Sequence, residues 1–320
     1  MALRSMAGDD AAAQVHLGAN FPLRLTLASK NVDGKIWYQA TWQTPGRYET
    51  GWLPSSAFTL NRPSGEAAAS LDALDTALAA YLAKLGTRVG VVVADVTRGV
   101  TYSYNGSRAF YAASSMKVPI MFTLLSQLEA KRREPTGHEM SLLTTMIEFS
   151  NNKSAKALYD EIGAQAGIKA FMRQVGISGL SPAPAANGWG YSTITPAAMV
   201  ALLKRLNAGT ILTAAHRALA LRLMTHVIAH QRVGVGDSSP AGATIALKDG
   251  WVQIHDGSGT SVMNSSGIVT LDGETYVIAV YTDKDRSFYD GFIIARYVCR
   301  VVGDRLVEAD KNPQPVKGAY

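Results

Sequence analysis

The chain has 320 residues, of which 47% are apolar, and it carries a formal net charge of +6 at pH 7. This composition is typical of a globular protein with one large core, alone or with a small accessory domain. No stretch approaches the roughly 18 consecutive apolar residues of a membrane-spanning helix, so we expect no transmembrane segment in this chain. The first residues, MALRSMAGDDAAAQ, lack the apolar stretch of a secretory signal. Lysine and arginine are scattered, apart from the short run 131–133, and we expect no nucleic-acid partner.

Residues 16–60 contain short β-type runs separated by turn-forming residues such as those at 31–34. The runs lie at 21–27, 36–42 and 50–53. The text KIWYQATWQ followed by TGWLPSSAF resembles a bacterial SH3-like module, in which a Trp-Tyr pair and a Gly-Trp-Leu-Pro turn pack a small barrel. We therefore predict an SH3-like β-barrel over 12–62, which would contact the cell wall. The alternative is an irregular β-extension that binds nothing.

A second domain is predicted to follow the linker at 61–65 and to cover 66–310. Its first segment, 67–85, has apolar residues at helical spacing. The elements that follow are two strands (88–95 and 101–104), a helix-rich middle (114–230), three strands (244–251, 261–270 and 275–282) and a final helix (291–302). This order predicts an α+β fold in which the first and last helices cover one face of an antiparallel sheet and bring the ends of the domain together. Cys299, the only cysteine, is predicted to be a buried thiol in the last helix.

The chemistry of the chain begins at Ser114 and Lys117, which introduce an apolar helix. A spacing of three residues on a helix brings the lysine amine beside the serine hydroxyl. Apolar surroundings and the positive end of the helix dipole both disfavour the ammonium form, and a neutral amine can take the serine proton. The Ser-x-x-Lys pattern is weak evidence alone, because a second copy runs from Ser150 to Lys153.

Two further motifs follow in order. Ser150-Asn151-Asn152 begins 36 residues after Ser114, and Lys248-Asp249-Gly250 ends an apolar run. With these motifs and the text SSMKVPIMFTLL, STITPAAMVALL and YVIAVYTD, the chain resembles the serine superfamily of class A β-lactamases and penicillin-binding proteins. The resemblance covers about 66–305 and implies a β-lactamase/transpeptidase-like fold, with an antiparallel sheet, flanking helices and a helical subdomain.

The resemblance also implies roles for the motif residues. Ser114 would be the nucleophile and Lys117 its general base, while Ser150 would pass a proton to the leaving nitrogen. Asn152 would hold the amide side chain of the substrate, and Lys248 would supply positive charge across the cleft from Ser150. Each has an alternative interpretation: Ser150 and Asn152 could merely cap the next helix, and Lys248 could be an ordinary edge-strand lysine.

The remaining predicted site residues surround the reacting carbonyl group. The oxyanion hole would be formed by the backbone N–H groups of Ser114 and Trp251. Asp249, Gly250 and Ser266 are the predicted substrate-binding positions. No metal and no cofactor are implied.

Three departures from the class A pattern concern charge. Class A enzymes keep a glutamate, which orients the deacylating water, in a loop before the text that matches 192–196. Here the chain has no Asp or Glu between Glu161 and Asp237. Asp249 replaces the usual hydroxyl residue and would face a substrate carboxylate with a like charge, while Ser266 stands where an arginine is usual. These departures predict ready acylation, slow release of the acyl group and weak recognition of anionic substrates.

The sequence therefore predicts a serine hydrolase that forms an acyl-enzyme through Ser114 with β-lactams or related amides and esters, and that deacylates slowly. One alternative is a penicillin-binding DD-peptidase-like enzyme that acts on peptidoglycan stem peptides. Others are a β-lactam or peptidoglycan binder without turnover, and a scaffold in which the SH3-like module does the work. The family usually works outside the cytoplasm, so the resemblance implies a periplasmic, secreted or envelope-attached location.

Overall fold

The computed structural model describes residues 2–5, 13–16, 24–33, 35–44, 47–54, 68–184, 188–254 and 259–308. The chain divides into two units, one formed by Met1–Glu66 with Leu306–Tyr320 and the other by Ala67–Arg305. The predicted linker at 61–65 lies outside the described residues. None of the helices in the described part of the chain is both long and apolar enough to cross a membrane.

The described strands of the first unit form one antiparallel sheet. They are β1 (Ala2–Arg4), β2 (Ala13–His16), β3 (Arg24–Val32), β4 (Lys35–Thr44) and β5 (Arg47–Pro54). Their order in the sheet is β2-β1-β5-β4-β3. Trp37 and Leu53 are buried. The predicted β-runs at 36–42 and 50–53 fall within β4 and β5, whereas the first predicted run starts at 21–23, outside the described residues.

The second unit contains strands β6 to β14 and helices α1 to α9. Along the chain they are β6 (Ala68–Ala69), α1 (Thr76–Leu85), β7 (Val89–Asp95), β8 (Val100–Tyr104), β9 (Phe110–Tyr111), α2 (Lys117–Ala130), α3 (Gly137–Glu148), α4 (Asn152–Glu161), α5 (Ala164–Gln174), β10 (Leu180–Ser181), β11 (Thr193–Ile194), α6 (Pro196–Ala208), α7 (Ala214–Thr225), α8 (Val235–Ser238), β12 (Thr244–Gln253), β13 (Ser261–Leu271), β14 (Glu274–Thr282) and α9 (Phe288–Gly303). This is the α+β order that the sequence predicts.

A six-stranded sheet, in the order β12-β13-β14-β7-β8-β6, carries the core of this unit. Its strands pair antiparallel, except that β6 runs parallel to β8. Every residue of β7 is buried, which explains its apolar text up to Ala94, because a strand covered on both faces has no solvent side. Helix α9 packs against β13 and β14, and α6 packs against β14 and β7.

The helical part of the second unit is built around α2. This helix is buried over most of its length, and α3, α4, α5 and α7 pack against it. A helix that is apolar on all sides is expected at the centre of a helical layer. The start of α2 is therefore buried, and that is where Lys117 stands.

The two ends of the second unit lie close together, as predicted. The rings of Tyr81 in α1 and Tyr297 in α9 have centroids 4.5 Å apart, and the Arg305 guanidinium donates to Asp75 over 2.7 Å. Cys299 is buried, as predicted. The predicted helix over 67–85 is wrong in its first half, because the Asp75 carboxylate accepts the backbone N–H of Leu78 and starts α1 only at Thr76.

Candidate active site

Ser114 lies in a short 3-10 turn, Ala113–Met116, that leads directly into α2. The residue before it, Ala113, has a φ of +46°, a left-handed conformation that costs free energy for any residue except glycine. The Ser115 hydroxyl and backbone N–H both donate to the Ala112 carbonyl, over 2.6 and 3.0 Å. Ser114 is partly exposed while its neighbours on both sides are buried. The turn therefore presents the Ser114 hydroxyl to solvent, while the hydrogen bonds of Ser115 hold the turn in place.

The Lys117 amine is the centre of the polar cluster. Its Nζ lies 2.6 Å from Ser114 Oγ, 3.1 Å from Ser150 Oγ, 2.9 Å from the Ser150 carbonyl and 2.8 Å from Asn152 Oδ1. The residue is fully buried. Burial lowers the pKa of Lys117 to about 6, and the positive charge of Lys248 adds to the effect.

The partners of this amine determine what it can do. The Ser150 carbonyl and Asn152 Oδ1 can only accept hydrogen bonds. A neutral amine satisfies both with its two N–H groups and keeps its lone pair for the Ser114 hydroxyl. Because the pKa of Lys117 is lowered below 7, the neutral form dominates at neutral pH, and Lys117 has the geometry of a general base toward Ser114.

Ser150 and Asn152 reach this amine from the junction between α3 and α4. Helix α4 is capped by Asn151, whose side chain accepts the Ser154 N–H over 3.0 Å. The alternative in which Ser150 and Asn152 serve as the cap is therefore wrong. Ser150 has a φ of +56°, a strained conformation that is consistent with a functional constraint. Lys153, which completes the second Ser-x-x-Lys pattern, is exposed, so only Ser114 and Lys117 combine the pattern with a buried amine.

Strand β12 packs against the turn that carries Ser114, and Gly250 is the point of closest approach. A methyl group on its Cα would come within 2.6 Å of the Ser114 and Ser115 backbone nitrogens. Side chains alternate along a strand, so Lys248 points to the same side of β12 as Gly250. Lys248 is fully buried, and the alternative in which it is an ordinary solvated edge-strand lysine is wrong.

The backbone N–H of Trp251 points toward the open edge of the sheet. Trp251 pairs with Met263 on β13, and the Met263 N–H and C=O both bond to the Thr282 hydroxyl, over 3.1 and 2.9 Å. They therefore point away from β12. In an antiparallel pair, the residue opposite such a position directs its own N–H and C=O outward too. Since β12 is the edge strand of this sheet, no strand of the described residues lies beyond the Trp251 N–H.

Asp249 lies on the opposite side of β12 from Lys248 and Gly250. Its carboxylate is fully buried and accepts the Val233 N–H and the Ser265 hydroxyl, over 2.5 and 2.8 Å. Burial raises the pKa of Asp249 and lowers that of Lys248. The opposite charge of each residue partly reverses the pKa shift that burial causes in the other. The described contacts of Asp249 are thus internal, and the predicted role in substrate binding stays a prediction.

Ser266, the other predicted substrate-binding side chain, pairs with Lys248 across the sheet. It is fully buried, and its hydroxyl donates to the Lys248 carbonyl over 3.3 Å. The structure therefore brings Ser114, Lys117, Ser150 and Asn152 into one hydrogen-bonded cluster and sets Gly250 against it. The side chains of Asp249 and Ser266 are not part of this cluster, because the first bonds to Val233 and Ser265 and the second to the Lys248 carbonyl.

A family model described as the β-lactamase enzyme family matches residues 73–139 and 139–306. The chain belongs to the β-lactamase enzyme family. Its curated relatives include β-lactamase AER-1 of Aeromonas hydrophila, 25% identical over 242 residues, which cover 63% of this chain and 75% of that protein. A β-lactamase of Rhodobacter capsulatus is 24% identical over 252 residues, 68% of this chain and 83% of that protein.

Solved structures show the same fold. The extended-spectrum β-lactamase TLA-3 superimposes with a TM-score of 0.65 at 20% identity, covering 74% of this chain and 99% of that one. PBP-A, in an acyl-enzyme complex with penicillin G, also superimposes with a TM-score of 0.65 at 20% identity, covering 74% and 97%. The β-lactamase/transpeptidase-like fold predicted for this family member is confirmed.

Two residues that contact the site of this β-lactamase-family protein, Asn264 and Trp189, were not predicted from the sequence. The Asn264 amide reaches past Gly250 and donates to the Tyr111 and Ala112 carbonyls, over 2.7 and 3.0 Å, so it ties β13 to the Ser114 segment. The Trp189 ring centroid lies 4.6 Å from Lys117 Nζ. The available signals were a polar residue in a buried strand and an isolated tryptophan in a small-residue loop.

An open groove of about 550 Å³ adjoins the segment that leads to Ser114. Its wall includes the rings of Tyr111 and Tyr191, which meet edge to face at 5.9 Å. The remaining lining residues are Gln165, Ser181, Pro182, Ala183, Pro184 and Thr193. This volume is within the range of small-molecule sites, which is about 300–1,000 Å³.

Proposed function

We propose that this β-lactamase-family protein is a serine hydrolase that forms an acyl-enzyme through Ser114 with β-lactams or related amides and esters, and that releases the acyl group slowly. One observation carries the proposal: the buried Lys117 amine lies within hydrogen-bonding distance of both the Ser114 and the Ser150 hydroxyls. A base that touches the attacking group and a second hydroxyl can move a proton from one to the other.

In the acylation step, the Ser114 hydroxyl gives its proton to Lys117 Nζ while Oγ attacks the carbonyl carbon of the substrate. The oxyanion that forms is held by the N–H groups of Ser114 and Trp251. The outward direction of the Trp251 N–H supports this role. Two fixed donors at this position stabilise the tetrahedral intermediate without having to reorganise.

Collapse of the intermediate breaks the C–N bond and requires a proton on the leaving nitrogen. Ser150 gives its hydroxyl proton to that nitrogen and recovers one from the Lys117 ammonium, so the amine is neutral again. Asn152 binds the amide side chain of the substrate, and Lys248 adds positive charge to the site. The product is an ester between Ser114 and the acyl group.

Deacylation requires a water molecule to attack this ester and to lose a proton. The stretch from residue 162 to 236 contains no carboxylate, so the loop before the text at 192–196 supplies no acidic base for that water. Lys117 is the remaining base of the cluster. We infer a long-lived acyl-enzyme, as expected when one half of a two-step reaction lacks its base.

The test follows both steps with one chromogenic cephalosporin. We expect a stoichiometric burst, a steady rate far below the burst rate, and a mass increase of one acyl group that disappears in Ser114→Ala. Ser141→Ala, which removes an exposed serine on α3, is the matched control and should acylate normally. Sustained turnover at the burst rate would refute slow release, and absence of any adduct from β-lactams and activated esters would refute the acyl-enzyme.

A second assay, run beside the cephalosporin experiment, separates the alternatives. A penicillin-binding DD-peptidase would also cleave stem peptides ending in D-Ala-D-Ala, whereas a binder without turnover would show a burst and no steady rate. The superposition on both a β-lactamase and PBP-A concerns the fold and favours neither activity. Peptide cleavage assayed beside cephalosporin hydrolysis therefore decides between them.

We further propose that residues 12–62 form an SH3-like module that contacts the cell wall, and that the protein works outside the cytoplasm. The five-stranded antiparallel arrangement of the first unit supports a β module. Binding of the purified chain to cell-wall sacculi should be lost when residues 1–62 are deleted. Unchanged binding of the deleted chain would exclude the module as the anchor.

A further inference from the structure

Trp189 connects a surface loop to the catalytic amine. It starts a short 3-10 turn, Trp189–Tyr191, and its ring centroid lies 4.6 Å from Lys117 Nζ. The ring is only partly exposed, while Lys117 is fully buried. One face of the amine is therefore covered by an aromatic ring that can neither donate nor accept a conventional hydrogen bond there.

The position of this turn is fixed by the segment that carries Ser114. The Ala112 N–H donates to the Ser192 carbonyl over 2.7 Å, and the Ser192 hydroxyl accepts the Ala183 N–H over 2.9 Å. The Tyr191 ring meets the Tyr111 ring edge to face. Contacts of its neighbours with the Ser114 segment thus hold Trp189 in place, in addition to its own contact with Lys117.

The other groups around the amine are oxygens that either belong to the reaction or accept its N–H groups. They come from Ser114, Ser150 and Asn152. Among the described residues, the charged group that bears on the amine is Lys248 from β12. Water that reached the uncovered amine could accept an N–H from the ammonium, which favours that form, and could donate an O–H to the lone pair of the neutral amine in competition with Ser114.

We propose that Trp189 is a positioning residue for acylation, which excludes water from the Lys117 amine and keeps its lone pair directed at Ser114. This inference rests on the proposed acyl-enzyme function. An aromatic face also attracts an ammonium group, which works in the opposite direction. Burial is the largest cause of the lowered pKa of Lys117, so we expect water exclusion to prevail.

The experiment compares the pH dependence of the acylation rate in the wild-type chain, Trp189→Ala and Trp189→Phe. The acid limb of the profile is the pH range in which the acylation rate falls as Lys117 becomes protonated. In Trp189→Ala this limb should move up by about one pH unit, so that acylation below pH 6 slows about tenfold. Trp189→Phe should restore most of the wild-type profile, because a phenyl ring still covers the amine. Tyr289→Ala, which removes an exposed aromatic ring on α9, should leave the profile unchanged. If Trp189→Ala does not fold, Trp189→Gln tests the same expectation with a polar side chain of intermediate size.

A second readout does not depend on acylation. The Lys117 amine can be titrated by NMR in protein labelled at the lysine side chains, with its resonance assigned by Lys117→Arg. The pKa of Lys117 should rise in Trp189→Ala, and an unchanged or lowered value would overturn the proposal. If the wild-type chain forms no adduct, the proposed function fails and the positioning role in acylation fails with it, whereas a pKa of Lys117 that rises in Trp189→Ala would still support the exclusion of water by Trp189. If the wild-type chain acylates and the Trp189 variants keep its profile, only the role of Trp189 fails.

Discussion

Gly250 lies against the backbone of Ser114 so closely that a methyl group on its Cα would come within 2.6 Å of the Ser114 nitrogen. The atoms that such a methyl group would meet all belong to the backbone, since the Ser115 nitrogen lies at the same distance and the Ala112 carbonyl oxygen at 3.1 Å. This backbone cannot make room for the methyl group unless Ser114 or strand β12 shifts. The glycine of the Lys-x-Gly motif thus sets the spacing between β12 and Ser114.

Gly250→Ala should therefore push β12 away from Ser114 and widen the oxyanion hole. We expect acylation by a chromogenic cephalosporin to slow by at least about tenfold, with a loss of about 1–3 kcal/mol in the free energy of unfolding. Gly137→Ala makes the same change at the start of α3, where an added methyl group meets nothing within 4 Å, and should leave acylation intact. Equal acylation by the two variants would contradict the close contact.

The pH dependence of acylation should report the titration of Lys117. Burial lowers the pKa of this amine to about 6, so the base is neutral above that pH and protonated below it. The rate should be flat above about pH 7 and fall about tenfold per pH unit below pH 6. Lys117→Arg, which stays protonated, should lose acylation at every pH, whereas Lys153→Arg at the exposed second motif should not. A limb near pH 10 would mean that Lys117 titrates as an ordinary lysine.

Asn152→Asp should raise the pH of this limb. The new carboxylate would stand where Asn152 Oδ1 now lies, 2.8 Å from Lys117 Nζ, and a negative charge at that distance stabilises the ammonium. The acid limb should move up by about one pH unit or more, measured as the acylation rate against pH. Asn151→Asp places the same charge one residue earlier, on a side chain that caps α4, and should move the limb less. A limb that moves equally in both variants would argue for a general charge effect.

Removal of the buried Asp249 carboxylate should destabilise the fold. Asp249→Ala leaves the Val233 N–H without its acceptor and leaves Lys248 without the adjacent opposite charge. Leaving buried hydrogen-bonding groups without their partner costs about 1–3 kcal/mol, measurable as a shift in urea denaturation. Asp160→Ala, which breaks the exposed ion pair with Lys156, should cost at most about 0.5 kcal/mol. If the two changes cost the same, the internal bonds of Asp249 carry no stability.

Much of the architecture could be read from the text alone. The apolar run of β7, the apolar helix after Ser114 and the three C-terminal strands were predictable because their periodicity is local. The start of α1 was not, since the capping of Leu78 by Asp75 competes with an equally helical pattern upstream. The SH3-like module over 12–62 stays a prediction.

The sequence by itself determined which motifs this protein carries, because the Ser-x-x-Lys, Ser-x-Asn and Lys-x-Gly motifs and their order belong to the primary structure. Only the tertiary structure decided which of two Ser-x-x-Lys lysines is buried, which residue caps α4, and toward which side of β12 Asp249 points. It also decided that Trp189 covers the Lys117 amine. Each of these depends on contacts between segments far apart in the chain, where burial and strand pairing, rather than local spacing, fix the environment of a side chain.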